Sequence, residues 1–208
     1  MKKALLSACL LFAFCRGAAQ DKNDTIYFMN GEVLIGKVVD TLMNQVKCTY
    51  KGRKEDKELT LDEERIFSIR YGNGTEKVYY KYDTLVGNIF TVEEAWYFVL
   101  GEQDALRDYN PRFCFWSGIV VGAAGPIFTP TLIAPLPVFA YTGAVKIPKI
   151  RINTADIPDK ERLRHDTYLL GYERVARKKK TFKTLAGGAV GLAIGFGAYF
   201  AFLQDEKP

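Results

Sequence analysis

The stretch that decides the architecture is Thr184–Leu203, TLAGGAVGLAIGFGAYFAFL, a run of 20 residues without a charge. A helix of this length matches the hydrocarbon core of a bilayer, which is about 30 Å thick. Gly187, Gly191 and Gly195 recur every four residues, so they share one helix face that a second helix can approach closely. The basic run Arg177–Lys180 precedes the stretch and is typical of a cytoplasmic anchor. The sequence therefore predicts a transmembrane helix, residues 184–203, with a glycine packing face.

Another apolar stretch, residues 113–145, holds 33 residues without a charge. As one straight helix it would be about 50 Å long, and its four prolines exclude such a rod. One kinked crossing, a hairpin of two short segments and a re-entrant path are all compatible with it. A single crossing is favoured, because it puts residues 146–183 in the cytoplasm before the chain returns. Gly118 and Gly122 repeat the four-residue spacing, which predicts that the two spans pack on each other.

Charge is divided unevenly along the chain. Residues 21–110 hold 12 Lys and Arg against 17 Asp and Glu, whereas residues 146–183 hold 12 against 5. Because membrane topology accounts for the basic segment, nucleic acid is not expected as a partner. The basic side chains are expected either to serve as plain topogenic charge or to hold anionic lipid headgroups. They are Arg174, Arg177, Lys178, Lys179, Lys180 and Lys183.

The N-terminus predicts export from the cytoplasm. Lys2 and Lys3 precede an apolar run, Ala4–Phe14, and the small residues Gly17–Ala19 follow, which is the layout of a cleavable signal peptide over residues 1–19. Leu6–Cys9 resembles the motif that ends in a lipidated cysteine, but it leaves almost no apolar segment between the lysines and that motif. The mature chain is expected at the inner membrane of a Gram-negative-type cell, with its N-terminal domain in the periplasm. Long apolar helices make the outer membrane the less favoured location.

Residues 24–83 predict a small all-β domain. Short runs rich in Val, Ile and Tyr alternate with turn signals such as Asn30-Gly31 and Gly72–Gly74. Gly36, inside the second run, is expected at a bend or bulge. A closed barrel is the favoured architecture for so few residues.

The segment Thr25–Val38, TIYFMNGEVLIGKV, resembles the opening of SH3-like and Sm-like barrels, with an alternating strand, a polar-glycine turn and a second strand ending in Gly-Lys-Val. The whole chain resembles uncharacterised bacterial envelope proteins that combine a signal peptide, such a barrel and glycine-rich transmembrane helices. The resemblance is architectural and covers residues 25–82 in the barrel. It implies a binding module without naming its ligand.

A linker helix is predicted over residues 91–110. Thr91 and Glu94 form a capping box at its start. Glu102 and Asp104 are two residues apart and so point in different directions, which favours a solvated helix face over a catalytic pair. An aromatic belt at the outer membrane interface is expected from Trp96, Tyr109, Phe113 and Trp116.

Residues that could carry chemistry are scarce. His165 is the only histidine and has neither a cysteine nor a second histidine beside it, so it makes a poor metal site. Cys48 and Cys114, the cysteines left after signal removal, are expected to be packed, inert thiols. Phosphate-loop, nucleophile-elbow and zinc-protease motifs are absent from the sequence. Neither an enzyme nor a cofactor is expected.

Together these patterns predict an α+β membrane protein: a small barrel, then a linker helix, then two glycine-packed transmembrane helices. The expected function is a non-enzymatic inner-membrane protein whose periplasmic barrel is a binding or adaptor module. One alternative is a glycine-zipper oligomer that forms or regulates a pore, and another is a membrane anchor subunit of an enzyme complex. The expected partners are membrane lipids and either another envelope protein or further copies of this chain.

Overall fold

The structure, a computed structural model, describes residues 23–128, 133–152, 157 and 159–203. The predicted signal peptide lies outside the described residues. The chain divides into two compact units. Of the described residues, the sheet unit holds those up to Tyr27 together with Val33–Tyr80, and the helical unit holds Phe28–Glu32 and those from Lys81 onward.

Six strands form one sheet in the order β4-β3-β2-β1-β5-β6. They are β1 Asp24–Phe28, β2 Val33–Leu42, β3 Gln45–Lys51, β4 Asp56–Asp62, β5 Ile66–Arg70 and β6 Glu76–Val78. The carboxylate of Asp24 accepts the backbone N–H groups of Val38 and Gly72, both at 2.8 Å, and so ties β1 to β2 and to the turn after β5. The buried apolar side chains of the sheet include Ile26, Val46, Cys48, Leu61, Ile66, Phe67 and Ile69.

The predicted closed barrel is wrong, because the sheet has two end strands, β4 and β6. In β4, DKELTLD, only Leu61 is buried. Charged side chains along an edge strand oppose pairing with a further strand, which explains why the sheet ends there. The bulge expected at Gly36 falls between Val38 and Asp40 instead. Gly36 pairs regularly with Asp24, and its missing side chain leaves room for the Thr49 carbonyl oxygen.

The helical unit contains α1 Val92–Asp108, α2 Arg112–Phe128, α3 Leu136–Val145 and α4 Asp166–Ala198. The capping box of α1 is present: the Glu94 N–H donates to Thr91 Oγ1, and the Thr91 N–H donates to the Glu94 carboxylate. Pro111 lies between α1 and α2, where a proline, which lacks an N–H and clashes with the preceding turn, interrupts the helix. The 33-residue helix α4 packs along α1 with its first half and along α2 with its second.

The second half of α4 runs parallel to α2. A methyl group placed on Gly187 would overlap the carbonyl oxygen of Phe115, and one on Gly191 would overlap that of Ile119. A step of four residues along α2 therefore matches a step of four in the same direction along α4. Such a contact requires residues without side chains, because the two backbones touch.

In contrast, α3 runs back along both helices. Its Val138 side chain contacts Gly188, and the carbonyl of Lys146, just after the helix, accepts a hydrogen bond from Arg177 at 2.6 Å. The start of α3 therefore meets Gly188 and its end meets Arg177, which comes earlier in α4. This order makes α3 antiparallel to α4. The helices α2 and α3 are therefore the two arms of a helical hairpin, and the end of α3 lies beside the basic half of α4.

The predicted pair of transmembrane helices, with a single crossing through residues 113–145, is wrong. Within the described part of the chain, one helix, Asp166–Ala201, is long and apolar enough to cross a membrane, and the apolar helices α2 and α3 are shorter. Proline explains the division. Pro135 caps α3 and Pro137 lies in its first turn, where a missing N–H costs little, whereas both would disrupt the middle of a continuous span.

Candidate functional site

Two carboxylates expected on a solvated face are buried between α1 and α4. Glu102 is 1% exposed and Asp104 is 2% exposed. The helices are in close contact here, because a methyl group on Gly101 would overlap the carbonyl oxygen of Tyr168. The prediction of a solvated face is wrong, since the spacing on α1 carries no information about the helix that covers it.

Asp104 is the centre of a polar network. Its carboxylate accepts hydrogen bonds from the Tyr168 hydroxyl at 3.0 Å and from Arg162 at 3.3 Å. It also pairs with Arg107 at 3.1 Å. Tyr168 is fully buried. Burial, and then the hydrogen bond to Asp104, raises the pKa of Tyr168 well above its usual range. A tyrosine held in this protonated form acts as a hydrogen-bond donor that fixes α4 against α1.

Glu102 faces a different partner. One oxygen pairs with Arg174 at 3.2 Å, and the other, Oε2, has no hydrogen-bond partner among the described residues. Burial raises the pKa of the Glu102 carboxyl, while Arg174 and Lys178 oppose that rise. Because Glu102 and Asp104 turn to different arginines, they do not converge on a common space. The two acids therefore stabilise an interhelical contact and are not arranged as a catalytic pair.

Glu102 should make stability depend on pH. A carboxyl whose pKa rises on folding contributes most below its unfolded pKa, and that contribution is lost as the pH rises through the folded pKa. We expect the denaturation midpoint of the wild type, relative to Glu102→Gln, to fall as the pH is raised from about 4 to about 7. Denaturation in mild detergent, followed by circular dichroism, measures the difference. Glu93→Gln removes an exposed carboxylate from the same helix and serves as the control. Parallel curves for wild type and Glu102→Gln would contradict the expectation.

Lys179 closes the C-terminal end of α1. Its Nζ donates to the carbonyl oxygens of Ala105, Leu106 and Tyr109 at 3.1, 2.5 and 3.0 Å. The last carbonyls of a helix have no partner within the helix, and a cation there also suits the helix dipole. Lys179 therefore has a structural role, which its position in a basic run does not reveal.

Lys179→Met should destabilise the protein by about 1–2 kcal/mol, since it keeps the alkyl stem but leaves the carbonyls of α1 without this donor. The shift of the denaturation midpoint in mild detergent reports it. Lys180→Met, one position later, is the matched control and should change stability by less than about 0.5 kcal/mol. Equal effects of the two substitutions would exclude a capping role.

The six basic residues singled out by the sequence fall into two groups. Arg174 pairs with Glu102, Arg177 pairs with Glu173 and donates to the Lys146 carbonyl, and Lys179 caps α1. Lys178, Lys180 and Lys183 have no hydrogen-bonding or ionic partner in the part of the chain that the structure describes. Only the second group is free to meet a ligand.

A cavity of about 460 Å³ opens where α1 gives way to α2. Its positive charges come from three lysines of α4 and from Arg107. The lining residues are Arg107, Tyr109, Asn110, Pro111, Lys178, Lys179, Phe182 and Lys183. Arg107 is itself paired with Asp104 and Asp108. The sequence did not indicate this cavity, because it depends on the position of the α1–α2 break beside α4.

The glycines singled out by the sequence meet inside the chain. Gly187, Gly191 and Gly195 face the backbone of α2, and the Gly118 and Gly122 positions on α2 face Thr184 and Gly188. The structure therefore brings these glycines into one intramolecular contact.

The predicted aromatic belt is divided by the structure. Phe113 and Trp116 are 79% and 65% exposed at the start of α2. Tyr109 packs edge-on against Tyr172, and burial raises its pKa to about 12. Phe98 packs against Gly171 of α4 and Phe115 against Gly187, about 24 Å further along α4, so Trp96 lies at a different level from Phe113.

Groups suited to metal binding or nucleophilic chemistry are not assembled among the described residues. They contain no cluster of three or more His, Cys, Asp or Glu that could hold a metal ion. His165 stacks on Tyr97 with ring centroids 3.6 Å apart. Cys48 and Cys114 are free and buried, and burial raises the pKa of the Cys48 thiol. A buried thiol with a raised pKa is a poor nucleophile.

No family model, no curated protein and no solved structure matches this chain. The function of the site is therefore argued from its geometry.

Proposed function

We propose that this chain is a non-enzymatic membrane protein whose helical unit anchors it in a bilayer and whose sheet unit binds a partner. The observation that carries the anchor is the exposed apolar surface of α2, α3 and the second half of α4. Large side chains on this surface include Phe113 at 79% exposure, Val120 at 70%, Phe128 at 82%, Phe139 at 63% and Ile194 at 55%. Exposing an apolar surface of this kind to water costs free energy, and contact with lipid removes that cost.

The burial of α4 supports the same interpretation. Only 28% of the most apolar 18-residue stretch of this helix is buried, whereas the core helix of a water-soluble protein is mostly buried. Among the described residues, basic side chains mark one end of the apolar surface: Arg112 is the first residue of α2, Lys146 follows α3, and Lys183 is the last charge before the apolar half of α4. This end fits the level of the lipid headgroups.

The sheet unit supports a binding role through its exposed apolar side chains. Ile35 and Val39 on β2 are 62% and 66% exposed, and Met43 in the following turn is 99% exposed. We propose that another envelope protein covers them. A non-enzymatic role is supported by the buried carboxylates of α1, because arginines and Tyr168 already engage them.

A glycine-zipper oligomer is the weaker candidate. Its packing face would be Gly187, Gly191 and Gly195, and these glycines already contact α2 of the same chain. A second copy would have to displace α2 to use that face.

We place the protein in the inner membrane with the sheet unit in the periplasm, as the signal-like residues 1–19 imply. We propose that the hairpin of α2 and α3 returns the basic segment 146–183 to that same side of the membrane, so that its lysines face the periplasm. Cysteines introduced at Lys54 and Lys180 should both react with a membrane-impermeant maleimide in intact spheroplasts. Reaction of both only after lysis would reverse the sidedness.

The partner can be captured by placing a photo-crosslinking amino acid at Ile35 or Met43 in the full chain, inside cells. We expect a reproducible crosslink to one envelope protein, identified by mass spectrometry. The control position is Lys54, in the polar turn between β3 and β4. Crosslinks to the same chain only, or equal products from Lys54, would contradict the adaptor function.

A further inference from the structure

The cavity at the α1–α2 break differs from the rest of the basic surface because it has walls. Tyr109, Asn110 and Pro111 form one side, at the point where the chain leaves α1 and enters α2, and four residues of α4 form the other: Lys178, Lys179, Phe182 and Lys183.

Two of its four cations are available. Lys179 already donates hydrogen bonds to three carbonyl oxygens, and Arg107 already forms salt bridges with Asp104 and Asp108. Lys178 and Lys183 are exposed and form no hydrogen bond or salt bridge within the described residues, although Lys178 also acts at longer range on the buried Glu102 carboxyl. The cavity therefore offers a ligand two lysine side chains whose hydrogen-bond donors are not engaged.

The depth of the cavity is set by the helix pairing. Phe115 of α2 lies beside Gly187 of α4, so the last charges before the two apolar stretches, Arg112 and Lys183, lie at the same level. Phe182, which lines the cavity, is 72% exposed and gives it an apolar rim. A charged pocket with an apolar rim at this level matches a lipid whose phosphate lies in the pocket and whose chains run along α2.

We propose that this cavity binds the headgroup phosphate of an anionic phospholipid, through Lys178 and Lys183. The proposal rests on the membrane anchoring proposed above and adds a specific lipid site to it. Phosphate is the shared chemistry of the lipid and of the free anion, and the position at the edge of the apolar surface favours the lipid.

The test uses the full chain, purified in a neutral detergent and mixed with equal amounts of phosphatidylglycerol and phosphatidylcholine. Native mass spectrometry should find one phosphatidylglycerol retained in preference to phosphatidylcholine. Lys178→Gln with Lys183→Gln should weaken this binding by about tenfold or more, since each lysine near anionic lipid contributes on the order of 1 kcal/mol. Lys149→Gln with Lys180→Gln removes the same net charge outside the cavity and should change the affinity less than about twofold.

Equal loss in the two double variants would overturn the proposal in favour of diffuse attraction. Competition by inorganic phosphate as effective as that by the lipid would also overturn it, in favour of a site for the free anion. Circular dichroism of each variant excludes misfolding as the cause of lost binding. Carbonate extraction of membranes tests the anchor separately: a wild-type chain that is released contradicts the proposed function, whereas a retained chain without lipid preference contradicts the lipid site alone.

Discussion

Replacing Gly187 with leucine should destabilise the helical unit by about 3 kcal/mol or more, the largest effect expected of any substitution in α4. The added Cβ alone would overlap the Phe115 carbonyl oxygen, and the Phe115 carbonyl carbon is within 2.9 Å of it. A backbone cannot rotate out of the way as a side chain can, so α2 and α4 must separate. Denaturation of the full chain in mixed micelles with increasing dodecyl sulfate measures the loss.

Gly197→Leu is the matched control, ten residues later on the same helix. Nothing lies within 4 Å of a Cβ at Gly197, and the residue is exposed. Leucine there should be neutral or stabilise by up to about 1 kcal/mol, because glycine is a poor helix former. If Gly187→Leu left the stability of the monomer unchanged but abolished multimers, the glycines would pack between chains, and the intramolecular contact would be wrong.

Asp104→Ala should destabilise the contact between α1 and α4 by about 3 kcal/mol, since removing one partner of a buried charged network leaves the other groups without compensation. Tyr168 would lose its hydrogen-bond acceptor in a site with no access to water. Arg162 and Arg107, which are partly exposed, would lose less because water can replace the carboxylate. The denaturation midpoint in mild detergent is again the measurement.

Two further variants separate the contributions at Asp104. Tyr168→Phe removes only the hydroxyl and should cost about 1 kcal/mol. Asp108→Asn removes a carboxylate whose partner, Arg107, is 54% exposed, and should cost less than about 1 kcal/mol. An Asp104→Ala variant as stable as Asp108→Asn would mean that the buried network contributes nothing.

Local patterns allowed much of the sheet to be predicted. The strand Gln45–Lys51 and the turn at Asn30-Gly31 depend on alternation and on turn chemistry within a few residues. The capping box at Thr91 is equally local. The end strands of the sheet were not predictable in the same way, because pairing joins residues far apart in the chain. The charges of β4 did carry a signal of an edge, which the expectation of a closed barrel ignored.

The helical unit was harder to predict, because its contacts are distant. Four-residue spacing at Gly187 and Gly191 predicts a close helix contact, but a row of glycines does not specify whether the second helix runs parallel or antiparallel. Asp104 finds Arg162 and Tyr168, 58 and 64 positions later in the chain. The periodicity of α1 alone therefore could not reveal that its carboxylates are buried.

The parallel pairing of α2 with α4 has a consequence for the order of events during synthesis. Ile119 leaves the ribosome 72 positions before Gly191, the residue on which it packs. At roughly 5–20 residues per second, α2 waits about 4–14 s for its partner. Throughout that interval its row of small residues is open to any helix nearby in the membrane. Slow translation between residues 146 and 183 should therefore lengthen the period in which this chain is most vulnerable to mispairing.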